Sequence, residues 1–310
     1  MNAHAPAWAA PLIAAGVLAV GIYLVAVLDA AARRVVAGVA LGAGVSTEPV
    51  RAAAGLAVQH RSATERPDAA LWVLAPALLA GLAALAVVVV PWSPTFSIAD
   101  VEAGIVLWGT IESLVIVAFF WHGWSANSHQ PLIAGYRYVA VGLSELLLSM
   151  FVLIAAAIPA QSLRLSAIVA SQNHLWNVVR QPLGLPLFAI VAMGSASWGP
   201  MDLAGGADLS GGTQAEVAGV ARLTWLVARA AILVSFSLMG AVAFLGGWHG
   251  PLLPGPLWVA FKAVAVLVVL VVLGHVRVRV RAERFVTVCW LVLLPLAFVD
   301  LAIAGIEGLR

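Results

Sequence analysis

The sequence carries little charge for its length. Of its 310 residues, 10% are charged and 63% are hydrophobic. An average soluble domain has about 25% charged residues, so this chain lacks the polar groups that would cover a folded surface of its size. We therefore exclude a soluble globular protein and expect lipid to surround most of the chain.

Cysteine is nearly absent, and the histidines are scattered. The single cysteine, Cys289, excludes an internal disulfide framework and a cysteine-ligated iron–sulfur cluster within this chain. The seven histidines show no metal-ligand spacing, and the sequence has no nucleophile elbow, phosphate loop or dinucleotide fingerprint. We therefore expect no metal, no cofactor bound by this chain alone and no catalytic residue that acts without partner subunits.

Long apolar runs are what the sequence does contain. A helix that crosses a bilayer needs about 20 predominantly apolar residues. The first run follows no basic region, so we expect a retained span rather than a removed signal peptide. We predict an all-α integral membrane protein with one membrane domain, residues 1–310, and about eight transmembrane helices. The expected spans are 6–28, 70–91, 101–121, 138–160, 182–197, 223–247, 256–276 and 285–306.

The arginines predict the orientation of these spans, because cytoplasmic loops carry an excess of basic residues. Eleven loop arginines fall on one predicted side and three on the other. We therefore place both termini outside, in a bacterial-type plasma (inner) membrane that the chain crosses several times. The expected cytoplasmic loops are 29–69, 122–137, 198–222 and 277–284.

Three loops have a distinct character. Residues 48–60 are typical of a short amphipathic helix at the membrane interface, and loop 161–181 is similar. The glycine-rich loop 194–222 contains Asp202, Asp208 and Glu216. Like charges brought close together raise one another's pKa, and a raised carboxylate suits proton transfer. A solvated polar loop is the alternative interpretation.

Two glutamates lie inside apolar runs. Glu145 falls within the fourth predicted span and Glu112 within the third. An ionised carboxylate at mid-membrane costs at least about 2.5–3.5 kcal/mol, so each acid must be protonated, paired or beside water. Such a group passes protons if water reaches both sides of it. The alternative is a neutral acid that is hydrogen-bonded to a neighbouring helix.

Three other ionisable residues lie in or near the spans. Arg137 precedes Glu145 by two helical turns, where it either stabilises that acid through water or extends to the headgroups. Lys262 is either a partner for a buried carboxylate or an extended lysine at the interface. Asp300, near the outer end of the last span, is expected to be interfacial.

Several segments resemble the H subunit of respiratory complex I, the proton-pumping NADH–quinone oxidoreductase. The most specific are GWSANSHQPLIAGYRYVAVGLSELLL (123–148) and FLGGWHGPLLPGP (244–256). RQPLGLPLFAIVAM (180–193) and WLVLLPLAFVDL (290–301) are also similar, and LDAAARRVVAGV (28–39) matches more weakly. The segments occur in the family's order, and the resemblance implies the family's eight-span fold.

The resemblance also assigns individual residues. It makes Glu145 the helix glutamate of the family's proton path, Arg137 its loop arginine and Lys262 its span-seven lysine, whereas Glu112 has no counterpart. In the family's quinone-side loop, the positions that fit are Pro200, Asp202, Leu203, Asp208, Leu209 and Glu216. The positions that depart are Ser195, Ser197 and Trp198, where the family has Glu, Asn and Arg. The expected quinone-cavity residues are Arg33, Arg34, Trp198, Met201 and Asp202.

The leading hypothesis is a membrane-arm subunit of a proton-translocating, complex I-like assembly. The chain would line the quinone site and relay protons through Asp202, Asp208, Glu216 and Glu145, with Arg137, Glu112 and Lys262 along the path. The resemblance implies quinone at a subunit interface, and flavin and iron–sulfur clusters in partner subunits. The expected partners are the other membrane-arm and peripheral-arm subunits and lipid, with no nucleic acid.

Three alternatives stay open at this point. The chain is also compatible with the equivalent anchor subunit of an ion-translocating membrane-bound hydrogenase or formate hydrogenlyase, which needs no quinone and would explain the departed loop. A structural scaffold without an ion path is a second alternative. An autonomous transporter is a third, although the sequence shows no internal repeat of the kind that many transporters contain.

Overall fold

The computed structural model of the protein describes residues 3–4, 8–60, 62 and 64–308. Within these residues the only strands are β1 (Ala3–His4) and β2 (Phe96–Ser97), which pair in parallel with Ala3 opposite Phe96. Everything else is helix, turn or loop. The predicted all-α class is therefore confirmed.

Twelve α-helices form the described part of the chain. Seven helical segments are long and apolar enough to cross a membrane, the last being continuous from Ala282 to Glu307 through a π-turn at Cys289–Leu293. The protein is therefore a multi-pass membrane protein. In chain order the helices are α1 (Ala10–Val36), α2 (Glu48–Val58), α3 (Ala69–Val89), α4 (Gly104–Ser125), α5 (His129–Ala157), α6 (Leu165–Ser171), α7 (Asn177–Arg180), α8 (Gly184–Ser195), α9 (Gly219–Phe244), α10 (Gly255–Val276), α11 (Ala282–Val288) and α12 (Leu294–Gly308).

The fifth expected span, 182–197, corresponds to a short helix. Helix α8 has twelve residues, which makes it about 18 Å long, whereas the hydrocarbon core of a bilayer is about 30 Å thick. It is apolar but covers little more than half of that distance. The seven spanning helices of the described residues are close to the expected count of about eight, and this half-length helix accounts for the difference.

Some helices continue past the charged residues at which the expected spans stop. Helix α1 runs to Val36 rather than to residue 28, and α5 begins at His129 rather than at residue 138. The added turns contain Arg33, Arg34 and Arg137, and each of these arginines pairs with a carboxylate. Because these charges are neutralised locally, they do not end the helices.

Helix α9 lies at the centre of the bundle. In its most apolar stretch of 18 residues, 83% of the residues are buried. The corresponding fraction is 22% for α1 and for the last spanning segment. It packs against α1, α3, α8 and α10, and α5 packs against α4, α8 and α12. The outer helices present large apolar side chains such as Leu12 and Leu291 to the surroundings, as lipid contact requires.

The segment between α8 and α9 is irregular but tightly held. It contains three short 3₁₀ turns, and Ser197 and Ser210 have positive φ. A Cβ on Gly212, which has φ +58°, would lie 1.9 Å from the carbonyl oxygen of Ala204. The Val280 N–H donates to the Pro200 carbonyl at 3.0 Å and ties the segment to the chain after α10. Protein groups thus satisfy this irregular backbone, as its depth in the bundle demands.

The sidedness of the fold stays a prediction. The outside location of both termini and the cytoplasmic side of the four loops are expected from the placement of arginine, and the single membrane domain is likewise an expectation from the sequence.

Candidate functional site

Two buried acids lie where α4 packs against α5. Glu112 on α4 is 3% exposed and Glu145 on α5 is 1% exposed. The hydroxyl of Ser149 donates to Glu112 Oε2 at 2.6 Å, and Ser149 follows Glu145 by four residues, one turn along the same face. The two acids, which we call the inner acid pair, are therefore about one helical turn apart. Among the described residues, the Oε1 atom of each has no hydrogen-bond partner.

The C-terminal end of α8 closes over Glu145. A Cβ on Gly194 would lie 1.8 Å from Glu145 Oε1, so only glycine leaves room for the acid at this position. The buried hydroxyl of Tyr138, two turns before Glu145 on α5, donates to the carbonyl of Ser195 at 2.9 Å. The end of α8 thus brings a phenol and a carboxyl group of α5 to one place.

Asp202 is the centre of a cluster of charges below this helix end, which we call the loop cluster. Its Oδ1 accepts from Ser197 Oγ at 2.7 Å and lies 3.4 Å from the Arg229 guanidinium. Its Oδ2 lies 2.8 Å from the Arg279 guanidinium. Arg229, buried on α9, also donates to the carbonyls of Ala196 and Ser197. The cluster therefore fixes the segment that follows α8.

The three carboxylates of this loop do not crowd together. Asp208 pairs with Arg137 at 2.7 Å, and Glu216 accepts a hydrogen bond from Ser128 Oγ at 3.2 Å, while Asp202 has its own arginines. The hydrogen bond from Arg137 holds the pKa of Asp208 below its usual value. The expectation that mutual repulsion raises the pKa is therefore wrong for Asp208, because its nearest charge is a cation.

The expected quinone-cavity residues fall into two groups around the end of α10. Arg33 and Arg34 pair with Asp29 and with Glu48 on α2. Trp198 packs against α10, because a Cβ on Gly274 would lie 2.7 Å from Trp198 Nε1. Met201, three residues after Trp198, is also buried, with 5% of its surface exposed.

An apolar groove with a volume of about 230 Å³ runs along the ends of α1 and α10. Val35 and Val36 line one wall, and His275, which follows Gly274, lines the other. His275 Nε2 lies 2.8 Å from Asp29 Oδ1. We call this feature the α1–α10 groove.

Lys262 is buried, and its amino group contacts backbone carbonyls and an aromatic ring. Its Nζ donates to the carbonyls of Gly247 and His249 at 2.9 and 2.7 Å, and it lies 4.2 Å from the centre of the Trp176 ring. Within residues 8–60, 62 and 64–308, no carboxylate is within 4.0 Å of it. The hypothesis of a carboxylate partner is therefore wrong, and backbone carbonyls and an aromatic face take that place.

A π-turn in the last span contacts the residue before Glu145. The Cys289 thiol donates to the Ser144 carbonyl at 3.4 Å, and Trp290 Nε1 donates to Ser144 Oγ at 3.2 Å. Turns of this kind occur frequently at functional sites. The last span is thus fastened to α5 at the depth of the inner acid pair.

The chemistry available to these groups is proton exchange and charge stabilisation. The buried side chains are carboxylic acids, hydroxyls, a phenol and an arginine, and none of them carries electrons. No group of three His, Cys, Asp or Glu residues that would hold a metal ion occurs in the described part of the chain.

Comparison with known proteins gives a consistent result. A family model described as NADH dehydrogenase matches residues 12–305. The second H subunit of the NADH-quinone oxidoreductase of Cereibacter sphaeroides is 31% identical over 240 residues, which cover 77% of this chain and 76% of the relative. The corresponding H subunit of Geobacillus kaustophilus is 29% identical over 249 residues, which cover 79% and 74%. The chain belongs to this family of H subunits.

Within this family fold, some of the residues expected from the sequence lie together and others do not. Glu112 accepts a hydrogen bond from Ser149, which lies one turn after Glu145 on α5, and Arg137 pairs with Asp208 of the loop. Lys262 lies apart from them, with its amino group at the turn before α10, and Arg33 and Arg34 lie at the end of α1.

Three participants were not expected from the sequence. Tyr138 and Ser149 lie seven residues before and four residues after Glu145, on the helix face that Glu145 occupies. Arg229 is a charged residue inside an apolar run, which by itself indicates a buried partner. The helical spacing from Glu145 would therefore have indicated Tyr138 and Ser149. The energetic cost of an unpaired buried charge would have indicated Arg229.

Proposed function

We propose that this chain is a membrane-arm subunit of a complex I-like NADH–quinone oxidoreductase, where it walls the quinone site and relays protons. Flavin and iron–sulfur clusters would be carried by partner subunits. The observation that carries the proposal is the series of buried polar groups from the loop cluster to the inner acid pair. A membrane protein keeps such groups in its interior at a cost, and by default they indicate a pathway.

The proton relay begins at the loop and ends at Glu112. Asp202, Asp208 and Glu216 form its entry, and Asp202 contacts Ser197. Tyr138 lies between this loop and Glu145, and Ser149, one helical turn after Glu145, donates to Glu112. Hydroxyl groups both donate and accept hydrogen bonds, so they suit transfer between acids when water fills the remaining gaps. The partnerless Oε1 atoms of the inner acid pair are where such water would bind.

The quinone wall would be the α1–α10 groove with Trp198. Its apolar lining and the single His275–Asp29 pair match the usual character of such cavities, which are mostly apolar with few polar groups. At about 230 Å³ the groove is smaller than the usual range of about 300–1,000 Å³. Partner subunits would therefore complete the site, with Arg33, Arg34 and Met201 at its edges.

A glutamine at position 145 tests the relay. Glu145→Gln keeps the size and removes the exchangeable proton, so proton translocation in membrane vesicles that contain the intact assembly should fall by about tenfold or more. The matched control is Glu102→Gln, since Glu102 is an exposed acid near α4 that pairs with Arg164. Unchanged translocation in Glu145→Gln would show that the chain is a scaffold without an ion path.

A second candidate function is the equivalent anchor subunit of an ion-translocating hydrogenase or formate hydrogenlyase. The observation that favours it is the loop after α8, where Ser195, Ser197 and Trp198 replace the Glu, Asn and Arg of the family pattern. The subunits that co-purify in mild detergent decide between the two functions. A partner with a nickel-ligating cysteine set would identify the hydrogenase type, and a flavin-binding NADH-oxidising partner would identify the quinone reductase.

A further inference from the structure

A third buried acid lies at the other end of α8. Asp300 on α12 is 0% exposed, although the sequence suggested an interfacial position. Its Oδ2 lies 3.2 Å from where a Cβ on Gly184 would be, and the nearest backbone N–H groups are those of Leu183 and Gly184. Neither carboxylate oxygen has a hydrogen-bond partner of good geometry among the described residues.

The surroundings of Asp300 are rich in acceptors. The side-chain nitrogens of Asn177 and Gln181 donate to carbonyls at the ends of α5 and α9, namely those of Ala156, Ala243 and Ala155. Their side-chain oxygens have no partner in the described part of the chain. This end of the fold therefore holds several buried acceptors that lack donors, Asp300 among them, and a bound proton turns one of the Asp300 oxygens into a donor.

Few charges act on Asp300 from the elements packed against α12. Helix α7 carries Arg180 and the π-turn carries Cys289, whereas α8 and the 3₁₀ turn Ile158–Ala160 carry no ionisable side chain. The ionisable residues of α5 are Glu145 and, further toward its N-terminus, Tyr138, Arg137, Tyr136 and His129. The Arg180 guanidinium donates to the Ser171 carbonyl at 3.0 Å, and it is not within 4.0 Å of Asp300. No cation of the described residues thus fixes Asp300 as an anion.

The two dominant influences on Asp300 oppose each other. Burial favours the neutral acid, whereas the N-terminus of α8, with a partial positive charge of about half an elementary charge, favours the carboxylate. Both protonation states are therefore accessible. The same positive helix end disfavours a metal cation such as Na⁺ at this position.

We propose that Asp300 is a proton-binding site in the outer half of the bundle, at the opposite end of α8 from Glu145. Gly184 faces Asp300 and Gly194 faces Glu145, and these glycines are ten residues apart, about 15 Å along the helix. One short helix thus has a protonatable acid at each end. Its role as an outward branch of the relay rests on the proposed function, whereas proton binding itself does not.

Infrared difference spectroscopy of the purified native assembly, recorded as a function of pH, tests the binding. The wild type should show a buried carboxyl carbonyl band that titrates, and Asp300→Asn should lose this band. Glu307→Gln, an exposed acid on the same helix, is the matched control and should retain it. If Asp300→Asn leaves every titrating carboxyl band in place, Asp300 is only a structural cap for α8 and the proposal is overturned.

Two further variants separate the possible failures. If Asp300→Asn does not assemble, Asp300→Glu should assemble and show the band at a shifted frequency, and its absence there overturns the proposal. If Glu145→Gln leaves translocation intact while the Asp300 band titrates, the relay fails and the proton site stands. If Glu145→Gln abolishes translocation while no Asp300 band exists, the relay stands and this site fails.

Discussion

The carboxylates of the loop and those inside the bundle are held in opposite ways. Asp202 and Asp208 each contact an arginine at 2.8 or 2.7 Å. Glu112 and Glu145 have no cation within 4.0 Å in the described residues, and Glu112 is bonded only to the hydroxyl of Ser149. The loop acids are thus held by ion pairs that also fix the backbone at the entry of the proposed relay, whereas the inner acids have no counter-ion among the described residues.

The difference assigns separate tasks to the two regions. Charges paired in the loop hold the segment after α8 in place, and that segment positions Gly194 against Glu145. Breaking a pair in the loop should therefore act on structure first, whereas a change beside the inner acid pair should act on proton movement. The following substitutions separate these effects.

The largest effect on stability is expected from Arg229→Met. It leaves Asp202 without its buried cation and frees two backbone carbonyls, which should cost about 3–5 kcal/mol, the usual cost of breaking a buried ion pair. Thermal denaturation of the purified assembly measures the loss. Arg222→Met, at an exposed position of the same helix, should have little effect, and equal losses in both variants would contradict a special role for the loop cluster.

A smaller effect on stability is expected from Gly194→Ala. The added methyl group meets Glu145 Oε1, and overpacking of this kind costs about 1–3 kcal/mol. Because the acid is displaced, proton translocation should fall more than the assembly yield. In the control Gly81→Ala the added methyl group meets nothing within 4 Å. This variant should therefore keep both the translocation rate and the assembly yield of the wild type. A normal translocation rate in Gly194→Ala would separate Glu145 from the relay.

The smallest effect is expected for the Arg137–Asp208 pair. Asp208 is 61% exposed, so a double-mutant cycle of Arg137→Gln and Asp208→Asn should give a coupling below about 1 kcal/mol, reduced further by salt. Since the pKa of Asp208 is lowered from 3.8, the coupling is present above that pH and disappears as the pH falls through the lowered value. A coupling lost already between pH 7 and pH 5 would contradict this assignment.

The spanning helices could be predicted from the sequence, but the residues at which they begin and end could not. Long apolar runs predict spans because lipid tolerates little else. The extension of α1 through Arg34 and of α5 through Arg137 depends on Glu48 and Asp208, which come from other segments. Helix ends set by such long-range pairs do not appear in any local pattern.

The candidate site was predictable in part for a similar reason. Glu112 and Glu145 stand out by the cost of burying an acid, and both are buried. The interfacial position expected for Asp300 was wrong, because the sequence does not show that α8 is only half a span long and that its N-terminus lies against α12. Likewise, the carbonyl partners of Lys262 come from the turn before α10, whose geometry depends on tertiary packing.

The π-turn at Cys289–Leu293 decides where Asp300 points. Successive residues of an α-helix are rotated by about 100°, and a π-turn takes up one extra residue. If α11 kept its place and the same residues formed a regular α-helix instead, the rest of α12 would be rotated by about 100°. Asp300 would then no longer face the N-terminus of α8. The extra residue taken up by this turn therefore sets which neighbour the acid faces.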